Sequence, residues 1–504
     1  MSKQNGGIIG PDNVTTGGFN GVASGVFKLS EATKLIRESK WPEPSPFTDT
    51  VPNSLRFNHT SSDTLTRTPS SAGNRRTFTI SLWTKFIPQA EHRAVFTSGT
   101  YASTQMSQIY FESDDTLNVS DFTAGQSKNF KITTDREFRD PSAWYHIVVA
   151  VDTTQGTASN RTKLYVNGVQ ETSFSTETYP SQNLEMSVNQ SGAPNRVGAG
   201  TSLYFDGYMA ETVLLDGTAA SPTSFGEFDE DSGVWKAIDV SGLTFGTNGF
   251  HLNYETAAEL GTDANGGTTL SETNLTALDQ STDTCTNNFA TLNFVAKGSG
   301  TTFADGNLKA TTTISNYNTS IGSIGLTQGK WYWEMKLGSG LNYSMYGITT
   351  DSPKQVGNIP AEQTKWTYVK IAYGTDLRYN ESEGTGYQAS SYGNANSGND
   401  IVMIALDLDN NFIYMGAGGT WYNSGNPTSG ASGSGAAPRA LVAGNTYFPA
   451  FTTSYGTNME INFGSPSYAI SSGNQDGNGY GNFEYAVPSG YFSLNTKNLS
   501  EVLS

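Results

Sequence analysis

Two short stretches of this 504-residue chain set flat rings beside amide and hydroxyl groups: Tyr387-Gln-Ala-Ser-Ser-Tyr-Gly-Asn394 and Gly419-Thr-Trp-Tyr-Asn423. A ring face stacks on the apolar face of a sugar, and neighbouring carboxamides and hydroxyls bond its OH groups. Trp366, Tyr387, Tyr392, Trp421, Tyr422 and Tyr455 are therefore the candidate ligand-binding residues. Tyr343, Tyr346 and Tyr373 belong to the same set of loop aromatics. Each of these rings could equally cap a hydrophobic core.

Groups able to make or break bonds are sparse. The four histidines, His59, His92, His146 and His251, form no His-Glu-x-x-His pair. His146 sits in an apolar run and reads as a core residue. Cys285 is the sole cysteine, so no intrachain disulfide forms, and it has no partner set for a nucleophile. There is no Gly-x-Ser-x-Gly elbow and no phosphate-binding glycine loop. A glycosidase needs carboxylates about 5–9 Å apart on one face. The nearest candidate, Glu227-Phe-Asp-Glu-Asp-Ser232, ends in Ser where the last Glu would stand and lies in a turn-rich segment. The expectation is a protein that is not an enzyme and has no catalytic residues.

The elements that would carry these loops read as strands. Asn399-Asp-Ile-Val-Met-Ile-Ala-Leu-Asp-Leu-Asp-Asn-Asn-Phe-Ile-Tyr-Met415 is two apolar runs broken by Asp409-Asn410-Asn411, a β-hairpin pattern. In Gly329-Lys-Trp-Tyr-Trp-Glu-Met-Lys-Leu337, Trp331, Trp333, Met335 and Leu337 share one face. Phe78-Thr-Ile-Ser-Leu-Trp83 alternates as a half-buried strand, and Trp144-Tyr-His-Ile-Val-Val-Ala-Val151 reads as a more buried one. Asn167-Gly168 in Lys163-Leu-Tyr-Val-Asn-Gly-Val169 wants positive φ at both positions and predicts a tight hairpin turn. Residues 256–292, rich in Thr, Asn, Asp and Gly, read as a linker, and Asn423–Gly435 as a long mobile loop.

Residues 1–50 differ. Leu29-Ser-Glu-Ala-Thr-Lys-Leu-Ile-Arg-Glu-Ser-Lys-Trp41 predicts one amphipathic helix capped by Ser30 and stopped by Pro42, Pro44 and Pro46. Alone it cannot bury its stripe, so it needs something to dock on. Charge and hydropathy exclude some partners. A net charge of −17 repels nucleic acid, and no apolar run approaches the roughly 20 residues of a membrane span. The N-terminus, Met-Ser-Lys-Gln-Asn-Gly-Gly, has no apolar signal segment. The expectation is synthesis in a cytoplasm, with any exterior reached as part of an assembly or by lysis.

In order and spacing, the hairpin, the Gly329–Leu337 strand, Tyr447-Phe-Pro-Ala-Phe451, Met459-Glu-Ile-Asn-Phe-Gly464 and Pro488-Ser-Gly-Tyr491 resemble a SPRY domain. The tryptophan-led strand, the Tyr-Val-Asn-Gly hairpin and Phe205-Asp-Gly-Tyr-Met-Ala-Glu-Thr-Val-Leu-Leu-Asp216 resemble a laminin-G-like (concanavalin A-like) jelly roll. The tail of that region, and the 1–50 segment, are similar to parts of marine bacteriophage structural proteins. These resemblances imply an all-β protein of two antiparallel sandwiches in tandem: an arm at 1–50, a jelly roll at 51–255, the linker at 256–292 and a SPRY-like sandwich at 293–504.

They also imply binding through loops rather than catalysis. Laminin-G-like domains often hold one Ca²⁺ at the rim, for which Asp114, Asp115, Asp121 and Asp152 are the candidate ligands or else turn residues. Two functional readings remain open. In one the chain is a virion adhesin such as a tail fibre, anchored through its arm to other virion proteins, homo-oligomeric as in trimeric fibres, and bound to host-surface glycan or protein. In the other it is a capsid-decorating or head-fibre protein whose sandwiches make assembly contacts.

Overall fold

The computed structural model describes residues 8–9, 26–27 and 51–503, except 89–90, 230–231, 299, 314–317, 342–343, 351–366, 381–387, 439 and 455. Within residues 1–50 a two-residue antiparallel pair, Ile8–Ile9 with Val26–Phe27, is described, and the helix expected over 29–41 lies outside the described residues. Residues 51–504 form one compact unit.

Two eight-stranded sheets make the first sandwich. One runs Val169–Gln170, Thr162–Val166, Tyr145–Asp152, Thr77–Phe86, Gly207–Asp216, Ser54–Phe57 and Gln280–Ser281, with Phe250–Leu252 also paired to Gly207–Asp216. The other runs Phe174–Thr178, Lys128–Glu137, Thr116–Phe122, Met106–Phe111, Arg93–Gly99, Asn195–Val197, Thr64–Arg67 and Ser271–Thr273. Alternate residues such as Ile80, Leu82, Ile109, Phe111, Val119 and Ile132 meet between them. Asn167 and Gly168 turn the hairpin at φ 48° and 78°, as their residue types require.

The Thr77–Phe86 strand is not half-exposed as its alternation suggests. Its second face is covered as well, because Trp83 packs with Val51, Ala210, Trp235 and Ala237 where the chain after the sheet folds back. Nor do residues 256–292 behave as a surface linker. Ser271–Thr273 and Gln280–Ser281 add a strand to each sheet, and Leu260 and Leu270, both 1% exposed, lie in the core. A few large apolar residues suffice to fix a polar segment when backbone edges are open to receive it.

Two seven-stranded sheets make the second sandwich. Leu292–Lys297, Asn318–Gly322, Phe448–Thr453, Met345–Thr349, Thr367–Ile371, Asp376–Asn380 and Gln388–Ser391 form one; Thr301–Ala304, Lys309–Thr312, Asn458–Asn462, Lys330–Leu337, Ile401–Asp407, Phe412–Ala417 and Thr420–Trp421 form the other. The hairpin pairs Asp407 with Phe412 and turns through Asn411 at φ 62°. Trp331, Trp333, Met335 and Leu337 face the core together, as their spacing predicts. Their strand's other face is buried too, since Tyr332 packs with Phe483 and Tyr491 from the C-terminal segment. On that face the Glu334 carboxylate accepts from Tyr332 Oη (2.8 Å) and from the backbone N–H groups of Glu484 (2.9 Å) and Tyr485 (2.8 Å).

Asn423–Gly435, expected as a mobile loop, is folded into short 3₁₀ turns. Pro427 is buried and accepts from Tyr491 Oη, and Asn426 caps the second turn by accepting from Thr428 N. The fold is all-β, two antiparallel sandwiches, as the sequence implies.

Candidate functional site

The second sandwich opens at the seam between its sheets. Gln388–Ser391 is the edge strand of one sheet and Thr420–Trp421 the edge strand of the other. Between them lies an open cleft of about 510 Å³, lined by residues 391 and 393–396, Asp400, Ala417 and residues 420–423. The two ring-and-amide stretches are 25 residues apart at their near ends, Asn394 and Gly419. Their described residues meet here because each stretch contains the outermost strand of its sheet.

The cleft floor is built from tyrosines. Tyr346 Oη donates to Asn396 Oδ1 (3.0 Å), Asn396 Nδ2 donates to Tyr422 Oη (2.7 Å), and the two hydroxyls lie 3.1 Å apart. With the Tyr346 hydrogen committed to Asn396, Tyr422 is the donor between them, and the triangle closes. Burial pushes the Tyr346 and Tyr422 phenols upward, so both stay protonated. Gly393 makes this packing possible: its φ is +73°, and a Cβ there would stand 2.3 Å from the Tyr422 ring. Asn423 Oδ1 accepts from Gly393 N (3.4 Å) across the cleft.

Trp421 is partly exposed on the wall, edge-on to Tyr332 at 6.4 Å. Ser391, Asn394, Thr420 and Asn423 lie around it with side chains open to solvent to varying degrees. Asp400 is the charged side chain in the lining, and its Oδ2 accepts from Ser397 N (2.7 Å). A cation, Lys370, is fully buried beneath; its Nζ donates to the carbonyls of Ile371 and Gly374 and sits 5.6 Å from the Tyr422 ring centre. Burial lowers its pKa to about 8, partly opposed by Asp376. The lining therefore offers a ring, amides, hydroxyls and one carboxylate.

Of the six predicted site residues, Trp421 and Tyr422 line the cleft. Tyr392 does not face it. It is fully buried, its hydroxyl accepts from Met415 N (3.0 Å), and its ring packs edge-on against Tyr422. A ring directly between two strand edges is the nearest filler for the gap in the core, which is why it turns inward. Trp366, Tyr387 and Tyr455 lie outside the described residues, as does Tyr343. Tyr373 is 41% exposed but does not line the cleft. Asn396 and Asp400 lie outside the two stretches that sequence reasoning picks out; an amide four residues after a tyrosine, Tyr392 and Asn396, is the available signal.

The acidic candidates do not assemble. Asp115 pairs with Arg93, and Asp121 is buried against Ser107, Gln105 and Asn129. Asp114 and Asp152 accept from Thr116 and Thr154 in local turns. Among the described residues no three His, Cys, Asp or Glu side chains gather as a metal set. Glu227 and Asp229 share Lys236 on an exposed hairpin rather than a sheet face.

His146 is a core residue, as expected. It is fully buried between Trp83 (4.7 Å) and Trp235 (5.9 Å). Trp235 Nε1 donates to its Nδ1 (3.0 Å), so the ring hydrogen is on Nε2, which donates to Ser81 Oγ (2.9 Å). Burial lowers its pKa to about 3.

Residues 59–224, within the first sandwich, match the family model described as the concanavalin A-like lectin/glucanases superfamily. Among solved structures, the chain is similar to the SPRY domain of human HERC1 (16% identity, 34% of this chain and 96% of that one, TM-score 0.27). It is also similar to a heptameric SAP-like pentraxin from Limulus polyphemus (16%, 34% and 79%, 0.26). A third is a candidate carbohydrate-binding protein from Bacteroides ovatus (17%, 44% and 57%, 0.31). No curated protein matches the chain.

Proposed function

We propose that the chain is a bacteriophage virion adhesin that takes an uncharged host-surface glycan in the seam cleft of its second sandwich. The observation that carries this is the meeting of residues 391–394 and 420–423 around a partly exposed Trp421. Pyranose rings stack on such a face, and Asn394, Thr420 and Asn423 supply donors and acceptors for hydroxyls. Asp400, the charged group of the lining, disfavours acidic sugars, and the net charge of −17 adds to this. In this reading the 1–50 arm attaches the protein to other virion proteins, the adhesin acts as a homo-oligomer such as a trimer, and its place is the extracellular particle.

One observation favours the decorating role. Val169, Phe228 and Val234 are 55%, 50% and 62% exposed around Trp235, an apolar surface suited to assembly contacts. Binding of the labelled full chain to immobilised neutral and acidic glycans and to host cells separates the two. The adhesin reading expects saturable binding to neutral glycans, weakened about tenfold by Trp421→Ala, as the loss of one stacked ring of about 1.4 kcal/mol implies. A folded chain that binds neither cells nor glycans would leave the decorating role.

A further inference from the structure

We propose that Lys85 and Asn288 are joined by an isopeptide bond that the folded chain makes by itself. The inference is independent of the glycan cleft. Lys85, near the end of the Thr77–Phe86 strand, sends Nζ out of the first sandwich into the joint with the second. There it meets Asp283 Oδ2 and Asn288 Oδ1, each at 2.8 Å, with the Phe289 carbonyl at 3.3 Å. Lys85 and Asp283 are each only 2% exposed. The Tyr208 ring, 1% exposed, lies 5.5 Å from Nζ and walls the site from water.

A buried ion pair requires Lys85 and Asp283 alone. What goes beyond it is the way the third group is held. Asn288 Nδ2 donates to Ser142 O (2.7 Å), which aims the carboxamide oxygen at the amine. Its Cγ is one C=O bond further on, so Nζ and Cγ are at most about 4 Å apart. Asp283 is also divided by function: Trp144 Nε1 (3.2 Å) and Phe289 N (3.3 Å) donate to Oδ1, which leaves Oδ2 toward the amine. Amine, carboxamide and carboxylate are thereby held in one dry site, where proximity replaces a bimolecular encounter.

The step balances without an outside reagent. Asp283 Oδ2 takes a proton from the Lys85 ammonium, and the freed amine lone pair attacks Asn288 Cγ. The C–N bond forms, the carbonyl π pair moves to Oδ1, and the tetrahedral centre then collapses. Collapse breaks the Cγ–Nδ2 bond as Asp283 delivers its proton to Nδ2; Asp283 then takes the second proton from the former amine nitrogen and passes it to the departing ammonia, which leaves as ammonium through the half-buried side of Asn288. The product is a neutral secondary amide, and the chain is lighter by one ammonia, about 17 Da.

The test is the intact mass of the purified, denatured full chain, followed by peptide mapping. The expected result is a mass about 17 Da below that of the sequence and a branched peptide linking Lys85 to Asn288. Asp283→Ala keeps both reacting partners and is expected to restore the sequence mass. A wild-type chain at the sequence mass overturns the proposal, as does a 17 Da loss that maps to a succinimide elsewhere rather than to the branched peptide. Because the wild-type mass decides by itself, the test stands even if the variant folds poorly.

Discussion

His146 shows how a single side chain couples fold to solution conditions. Its ordinary pKa is 6.5, and in the folded chain it falls to about 3 because burial disfavours the charged ring. Between those values the unfolded chain binds a proton that the native site refuses. Stability contributed by His146 is thus complete above pH 6.5 and falls as pH drops toward 3, by about 1.4 kcal/mol per pH unit. Asp63, raised to about 6 mainly by burial, acts with the opposite sign, since its native state holds the extra proton. The informative quantity is therefore the difference between wild type and His146→Gln. Urea unfolding at pH 7 and pH 5 should show a larger loss for wild type than for the variant. Equal losses would mean that His146 is protonated at no cost in the fold.

At the scale of elements, the cleft depends on two edge strands and the turns that follow them. Gly393 is the tightest point, with left-handed backbone and the Tyr422 ring where its side chain would be. Gly393→Ala should cost about 1–3 kcal/mol of stability. It should also weaken glycan binding, because the Tyr422–Tyr346–Asn396 triangle must shift. Thermal unfolding and glycan binding measured on the same sample check both, and an unchanged affinity would show that the floor is not part of the site. The sequence made the hairpins and core faces legible, since Asn-Gly, Asp-Asn-Asn and the Trp-x-Trp-x-Met-x-Leu spacing act locally. It did not reveal which strands end each sheet, and that order is what brings residues 391–400 to residues 417–423.

For the molecule as a whole, the joint between the sandwiches is polar but tightly satisfied. Besides the Lys85 site, Arg56 donates to the carbonyl of Pro466, Ser281 and Ser465 share a hydrogen bond of 2.7 Å, and Tyr208 Oη donates to Gly306 O (2.9 Å). A Cβ on Gly306, whose φ is +70°, would fall 2.0 Å from that hydroxyl. Residues 51–504 should therefore unfold in one calorimetric transition, and Gly306→Val should lower its midpoint or split it in two. Two well-separated transitions in the wild type would mean that the joint couples the sandwiches only weakly.

The sequence by itself determined the all-β class, the main hairpins and the core-facing strand residues, because alternation and turn residues are short-range properties. It could not determine that 256–292 packs as strands, that Tyr392 turns inward while Trp421 stays at the surface, or that Lys85 meets Asp283 and Asn288, which are 198 and 203 residues away. Those outcomes depend on which edges were open and which gaps needed filling once the sheets had closed. Such facts exist only in the packed chain.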